Sequence, residues 1–351
     1  YHVDAEQQRN VSSLSATYRK KLEVNSFGVT LLAGLQLEQT DYKLVTSLGP
    51  QQIDQTITGA FVSSQWGLSQ HSQLQAGLRL SDQQADITDV STSLDQESFN
   101  DQQPLWGLGY TWSNQPLKLF ARAERNVRYP TVEEHTNVPY GYEPGLQTQQ
   151  GLSLEMGAEI NSQAHRYRLT AYNIELDNEI AFDSTGFANL NLDRTSRDGL
   201  IAEWFTDWSE RLSMSLSVTW LDAKITDGAF KGNLLPLVAE QTLRVDGGYR
   251  FDERWNFGLE YQWVGATVFG GDFANQLDKL PSYQVVNAHL HWQYQHWEAR
   301  LRVNNLLNEK YSESGSQYTE YHPVTFAPSY YESFFPSAER NLWLSVSYSF
   351  E

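Results

Sequence analysis

The sequence predicts an all-β protein, a transmembrane antiparallel β-barrel with about fifteen strands. Three observations predict it. Apolar and polar residues alternate in long segments along nearly the whole chain, which places one set on each face of a sheet. No stretch of helical periodicity interrupts them, and no run approaches the roughly 18 apolar residues of a membrane helix. The connections between segments alternate between tight and wide, as periplasmic turns and extracellular loops do in outer-membrane barrels. A length of 351 residues would ordinarily mean two or three soluble domains. A barrel grows by adding strands instead of enlarging one core.

The alternating segments fall near 2–22, 27–46, 53–69, 72–87, 104–114, 117–130, 152–163 and 165–183. They continue near 187–207, 212–226, 236–251, 255–270, 283–295, 297–313 and 338–350. In the eleventh, Leu243, Val245, Gly247, Tyr249 and Phe251 oppose Arg244, Asp246, Gly248 and Arg250. In the thirteenth, Val286, Ala288, Leu290, Trp292 and Tyr294 oppose Asn287, His289, His291, Gln293 and Gln295. The last sets Leu342, Leu344, Val346, Tyr348 and Phe350 against Ser345, Ser347 and Ser349.

Tight joins occur at 25–26, 70–71, 113–116, 163–164, 209–210, 252–253 and 296, and should face the periplasm. Wider connections fall at 47–52, 88–103, 131–151, 184–186, 227–235, 271–282 and 314–337. Fifteen is an odd number where bacterial single-chain barrels use even ones. With the C-terminus on the periplasmic side, counting back puts the N-terminus outside. The expectation is therefore a single β-barrel domain over 1–351 that begins within a larger barrel. A missed strand in a complete, smaller barrel is the alternative.

Composition narrows the function. The formal net charge of -18 argues against a nucleic-acid partner, because phosphate binding needs clusters of Lys and Arg. There is no cysteine and there are only two methionines, Met156 and Met214, which disfavours a copper site built on sulfur. No Gly-rich phosphate loop, Gly-x-Ser-x-Gly elbow or His-Glu-x-x-His motif occurs, so no enzyme activity and no cofactor are expected.

Several stretches resemble TonB-dependent outer-membrane receptors. Residues 126–134, Asn-Val-Arg-Tyr-Pro-Thr-Val-Glu-Glu, are similar to a Phe-Arg-Ala-Pro-Thr-hydrophobic-Glu-Glu segment, with Tyr129 replacing Ala. Glu143-Pro144-Gly145-Leu146 and the strand Gly151–Gly157 resemble an Asn-Pro-Asn-Leu element and its following strand, with Glu143 replacing the first Asn. Residues 191–199 resemble an Asn-x-x-x-Thr-Arg-x-Gly lead-in, and 271–275 with 280–283 a recurring outer-loop pattern. The most specific is Val303-Asn304-Asn305-Leu306-Leu307-Asn308-Glu309-Lys310-Tyr311, similar to Val-x-Asn-Leu-Phe-Asp-x-x-Tyr. The terminal strand follows it, with Glu351 after the usual final Phe.

The resemblance implies the C-terminal part of a 22-stranded barrel in the bacterial outer membrane, with the N-terminal plug and TonB box outside this sequence. It implies uptake of a scarce ligand, a ferric siderophore or similar metal chelate by default, with haem or cobalamin as alternatives. Implied partners are outer-membrane lipid and lipopolysaccharide, the TonB complex through a plug, and phage or bacteriocin at the outer loops. A passive porin is the competing function.

Candidate ligand contacts lie in two loops: His135, Tyr140, Tyr142 and Glu143 in 131–151, and Tyr318, Tyr321 and His322 in the last. Aromatic loops with a few polar anchors suit capture of a flat or chelated ligand. Tyrosines also gather where a barrel meets headgroups, and Tyr330, Tyr331, Phe334 and Phe335 fit such girdle or loop packing. His135 is placed where an imidazole could ligate haem iron, although an exposed loop histidine is ordinarily just solvated. His289 and His291 lie about 7 Å apart on one strand, which suits a metal or, more simply, a polar lumen. Asp86, Asp89, Asp95, Glu97 and Asp101 form an acidic loop without EF-hand spacing. Charged rows such as Glu155 and Glu159, Arg166 and Arg168, Arg244 and Arg250, and Glu298, Arg300 and Arg302 should pair along the inner wall. No metal site is expected.

Overall fold

A computed structural model describes residues 5–24, 27–46, 49–89, 94–137, 141–142, 146–184, 186, 188–325 and 327–350. All regular structure among them is β. The strands are β1 (Glu6–Val24), β2 (Phe27–Thr46), β3 (Gly49–Gly67), β4 (Ser72–Asp89), β5 (Leu94–Asn114), β6 (Leu117–Arg128), β7 (Thr136–Asn137), β8 (Gly141–Tyr142), β9 (Gln149–Ser162) and β10 (His165–Asp177). Next come β11 (Glu179–Asp183), β12 (Ala188–Leu192), β13 (Thr195–Asp207), β14 (Leu212–Ile225), β15 (Gln241–Arg250) and β16 (Trp255–Val264). The last are β17 (Tyr283–Tyr294), β18 (Trp297–Asn304), β19 (Ser312–Tyr321), β20 (Pro328–Pro336) and β21 (Asn341–Tyr348).

Fifteen of these form one sheet in the order β1-β2-β3-β4-β5-β6-β9-β10-β13-β14-β15-β16-β17-β18-β21. The remaining six make three hairpins, β7-β8, β11-β12 and β19-β20, which are built into the connections. β1 and β21 are the first and last strands of that order. The alternation thus gives the strand count of the wall, and each wall strand overlaps an expected segment.

The connections correct the sequence reading in several respects. The wide connection expected at 47–52 is largely strand because β3 begins at Gly49, and the one expected at 314–337 holds the β19-β20 hairpin. The segment 88–103 was expected to be a wide acidic loop, but its described residues are strand: β4 runs to Asp89 and β5 begins at Leu94. Asp86 lies opposite Ser98 and accepts its hydroxyl at 2.6 Å, and Asp101 lies opposite Gln83. Asp86 and Asp101 therefore lie on opposite faces instead of converging, the side chains of Asp89, Asp95 and Glu97 lie outside the described residues, and no metal-binding group of three occurs among the described residues.

The chain folds as two compact units, the first comprising Tyr1–Ser113, Phe120–Glu155 and Ile174–Thr195, the second Asn114–Leu119, Met156–Asn173 and Ser196–Glu351. In the first unit the amphipathic phase inverts along β2, β3 and β4. Ala33, Leu35 and Leu37 of β2 align with Val62, Ala60 and Thr58 of β3, and Val62 and Ala60 align in turn with Leu78 and Leu80 of β4. This is an exposed apolar face, with Leu35 64% and Leu78 65% accessible. Further along, the same face carries Asp41, Asp54 and Asp86 side by side on three strands. There the opposite face becomes the core: Tyr42 and Leu44 of β2, Ile53 of β3 and Ile87 of β4 are buried against Val132. A strand of 18 to 21 residues, as β1 to β5 are, is about twice the 9–11 needed to span a membrane. In β2 to β4 the inversion divides the strand into a half with an exposed apolar face and a half whose opposite face packs a core.

In the second unit the apolar face is continuous across β15 to β21. Leu259, Ala288, Val303 and Leu342 form one row, and Phe257, Leu290, Leu301 and Leu344 the next. At the tight-turn end the rows become aromatic, with Trp255 near Trp292, Trp297 against Tyr348 at 4.9 Å, and Tyr348 against Phe350 at 4.8 Å. Amphipathic rings belong at such a boundary because the ring meets apolar surface and its polar edge meets water. The other face is polar and paired. Arg302 meets Glu260 at 3.0 Å across strands, His291 meets Glu298 at 2.8 Å, Arg168 meets Glu203 at 3.8 Å, and Arg244 meets Asp246 within β15 at 2.9 Å. Glu159 instead accepts a hydrogen bond from Asn161 at 2.9 Å. His289 lies 4.0 Å from Glu260, and its ring covers Gly258, where an added Cβ would overlap it. Both histidines of β17 thus belong to the paired polar wall.

Candidate functional site

Residues 129–135 build a concave site, and their local chemistry explains why they fold as they do. Pro130 ends β6 by removing a backbone donor. Glu134 closes the turn by accepting the Thr131 N–H at 2.9 Å while pairing with Arg128. Val132 is driven into the core formed by the far halves of β2 to β4. Gln55 and Gln83 both donate to the Pro130 carbonyl, at 3.3 and 3.4 Å, and the Tyr129 hydroxyl donates to the Ser81 carbonyl at 2.9 Å. Arg9 of β1 reaches Glu133 at 2.9 Å. The motif that carried the family resemblance is therefore structural, fastening the segment to the inward face of the sheet.

This segment places His135 in the wall of a cavity of about 430 Å³. His135 is 2% accessible, which corrects its expected place as a solvated loop residue. Its ring stacks on Phe99 of β5, with centroids 5.5 Å apart and planes at 24°. Burial lowers its pKa to about 4 although the Glu134 carboxylate favours the proton, so the imidazole is neutral at pH 7. Gln83 and Gln103, both buried, stand near Asp101 on the same face, where Gln103 donates to both Asp101 oxygens at 2.8 and 2.9 Å. Leu146, Gln147 and Thr148, which lead into β9, and Asn178 complete the lining.

The other expected contacts fall elsewhere. Tyr140 and Glu143 lie outside the described residues, and Tyr142 is described only as the backbone of β8. Tyr318 and Tyr321 are exposed on the β19-β20 hairpin, with Tyr318 directly opposite Tyr331. Phe334 packs edge-on against Phe269 at 5.3 Å, as expected for loop packing. The His322 Nδ1 accepts the backbone N–H groups of Val324 and Thr325 at 3.3 and 3.2 Å, so its ring caps the hairpin tip. In the same unit, Tyr283 stacks on Tyr311 at 4.6 Å beside a second cavity of about 390 Å³.

Sequence reasoning missed Phe99, Gln83, Gln103 and Asn178. The first three lay in or beside a presumed loop. The exposed signal was the change in alternation phase, from Leu31, Ala33, Leu35 and Leu37 to Tyr42 and Leu44 within one unbroken strand.

The model for the family described as TonB dependent receptor-like, beta-barrel, matches residues 3–306. Among solved structures, the siderophore receptor PiuA from Acinetobacter baumannii superposes with a TM-score of 0.78 at 13% identity, covering 98% of this chain and 56% of that one. The ferric yersiniabactin uptake receptor FyuA from Yersinia pestis gives 0.75 at 15% identity, with 99% and 55% covered. The copper transporter OprC gives 0.75 at 14% identity, with 99% and 57% covered. This chain thus spans little more than half the length of each. At such identities the likeness speaks for the fold.

Proposed function

Since the chain belongs to the TonB-dependent receptor family through its β-barrel, we propose that it forms the wall of an outer-membrane receptor. The receptor takes up a scarce small ligand, a ferric siderophore or similar metal chelate, in an energy-dependent step. The observation that carries the reading is the amphipathic inversion in β2 to β4: an apolar outward face gives way, in the same strands, to a charged outward face over a packed inner core. A passive pore has no need of that second half. A receptor does, because strands that project beyond the membrane hold ligand-contacting segments above the lumen.

The cavity bearing His135 and the exposed Tyr318 and Tyr321 are the proposed ligand contacts. Tyr140, Tyr142 and Glu143 remain part of the same proposal. His322 acts on the ligand only through the hairpin it caps. All three structural relatives named above are named for metal cargo, iron chelates in two cases and copper in one, which supports a metal-bearing ligand. The two-methionine composition favours a chelated metal over bare copper. A plug domain and the TonB complex would supply the inward step. The family relationship supports transport as the activity.

The test is uptake of radiolabelled ferric chelates by cells with and without the encoding gene. Deletion should abolish uptake of at least one chelate, and collapse of the proton gradient should do the same in the parent strain. Uptake unaffected by both treatments would overturn the receptor reading.

A further inference from the structure

The β19-β20 hairpin has two edges, and only one of them is taken. On the β19 side the Gly270 N–H donates to the Gly315 carbonyl at 2.9 Å, and the Gln317 N–H donates to the Gly270 carbonyl at 2.8 Å. Phe269 packs on Phe334 beside that junction. These contacts fasten the hairpin, which as a lone two-stranded unit would be marginal in water. The other edge is β20, which pairs with β19 alone among the described residues.

A free edge presents a row of unpaired N–H and C=O groups, and proteins ordinarily blunt it with shortness, charge, proline or a bulge. β20 is nine residues long, with proline only at its two ends and Glu332 as its one charge. The bulge of the hairpin lies at its base, between Ser312 and Ser314 of β19. Tyr330, Tyr331 and Phe335 are 42%, 49% and 54% accessible. The edge is thus open, long and aromatic, a template for a further strand.

The side chains specify which strand fits. Residues 312–337 contain Glu313, Glu320 and Glu332 and no Lys or Arg. Glu332 shares one face of β20 with Tyr330, and Tyr331 and Phe335 lie on the other. A cation opposite Glu332 on an added strand gains a cross-strand pair of opposite charge. One beside Tyr330 meets the negative face of the ring. A second copy of the chain is a poor occupant. Glu332 is the middle residue of Pro328–Pro336, so two-fold antiparallel pairing along the whole strand would set Glu332 against itself.

We propose that the free edge of β20 binds an extended cationic peptide from the medium as a third strand, with Lys or Arg opposite Glu332 and beside Tyr330. That this edge meets the medium rests on the reading of the chain as a receptor wall, because the hairpin is one of its long connections.

The experiment is fluorescence anisotropy with the full chain in a nonionic detergent. The probe is a labelled Lys-Thr-Lys-Thr-Lys-Thr-Lys peptide, and the control replaces each Lys by Glu. The Lys peptide should bind at least ten times tighter than the Glu peptide. Glu332→Gln and Tyr330→Leu, both at exposed positions, should each weaken it about two- to fivefold. Only alternate amides of an added strand face its neighbour. N-methylation of the Lys amides and of the Thr amides, in two further peptides, should therefore abolish binding in one case and spare it in the other. The proposal is overturned if the Lys and Glu peptides bind alike, or if both methylated peptides bind like the parent, which would mean adsorption by charge alone. Dimers of the chain that bind no peptide overturn it in favour of a second copy. Energy-dependent chelate uptake by cells whose protein binds no peptide strikes this inference and sustains the receptor reading; peptide binding without such uptake has the opposite meaning.

Discussion

Asn305 and His135 show how single residues hold connecting segments in place. Asn305 has a φ of 50°, a left-handed conformation that asparagine tolerates better than most residues. Its Oδ1 accepts the Glu309 N–H at 2.8 Å, and its Nδ2 donates to the carbonyls of Glu309 and Ala338 at 2.9 and 3.3 Å. It is 2% accessible, so Asn305→Ala strands these partners and should cost about 2–4 kcal/mol, at about 1–3 per lost buried bond partly regained by water. Asn305→Gly relieves the backbone and not the bonds, and should recover less than half; urea unfolding in bilayers measures both. His135 couples its own segment to pH. Its folded pKa of about 4 lies below the ordinary 6.5, so the unfolded segment binds the proton more readily. Stability is full above about pH 6.5 and falls as pH drops toward 4. Amide exchange over residues 129–135 should accelerate in that window, and His135→Phe, which keeps the stack on Phe99, should flatten the dependence. Acceleration unchanged in that variant would assign it to other groups. The histidine was visible in the sequence, but its burial was not, because burial depends on Phe99, whose side-chain direction is set by a strand register that sequence does not reveal.

At the scale of the strand, what was legible was local and what was missed was relational. A period of two needs only neighbours along the chain, so β15, β17 and β21 were plain from their residues. The extent of β4 and β5 was not, because their far halves are polar on the outward face and draw their apolar inward residues into contact with Val132, from a distant segment. The three hairpins were missed for the same reason: Asn178, at φ 56°, turns the chain out of β10 into the β11-β12 hairpin, and Asn191 fastens that turn. The two faces make opposite predictions for the same substitution. Leu344→Lys puts a charge on the apolar face of β21 and should cost up to about 2–4 kcal/mol in a bilayer, whereas Ser345→Lys on the polar face should cost under about 1. The charged half of the outward face carries its own tension, since Asp54 stands between Asp41 and Asp86 at directly opposed positions. Asp54→Asn should therefore stabilise the sheet by about 0.2–1 kcal/mol, a gain that shrinks in high salt. A loss of stability there would mean that the row is held together by something that needs the charge.

For the whole molecule, the unequal ends of the sheet amount to a statement about direction. One end carries tight turns such as 251–254 and 295–296, bordered by Trp255, Trp292, Trp297 and Tyr348. The other carries the connections between β14 and β15 and between β16 and β17, and the β19-β20 hairpin between β18 and β21. If the long connections face outward, a probe that cannot cross the membrane reaches them on intact cells and does not reach the turns. The native chain has no cysteine, so one introduced thiol reports alone. Ser329→Cys in the β19-β20 hairpin should react with a membrane-impermeant maleimide on whole cells. Glu253→Cys in the turn between β15 and β16 should react only after the outer membrane is permeabilised. Both side chains are exposed, so failure to label reflects the membrane and not burial. Labelling of both sites on intact cells would remove the directional argument, and the reverse pattern would invert it. The same pair also separates the receptor from a barrel inserted at random, because only a directed wall presents the β19-β20 hairpin to ligand arriving from outside.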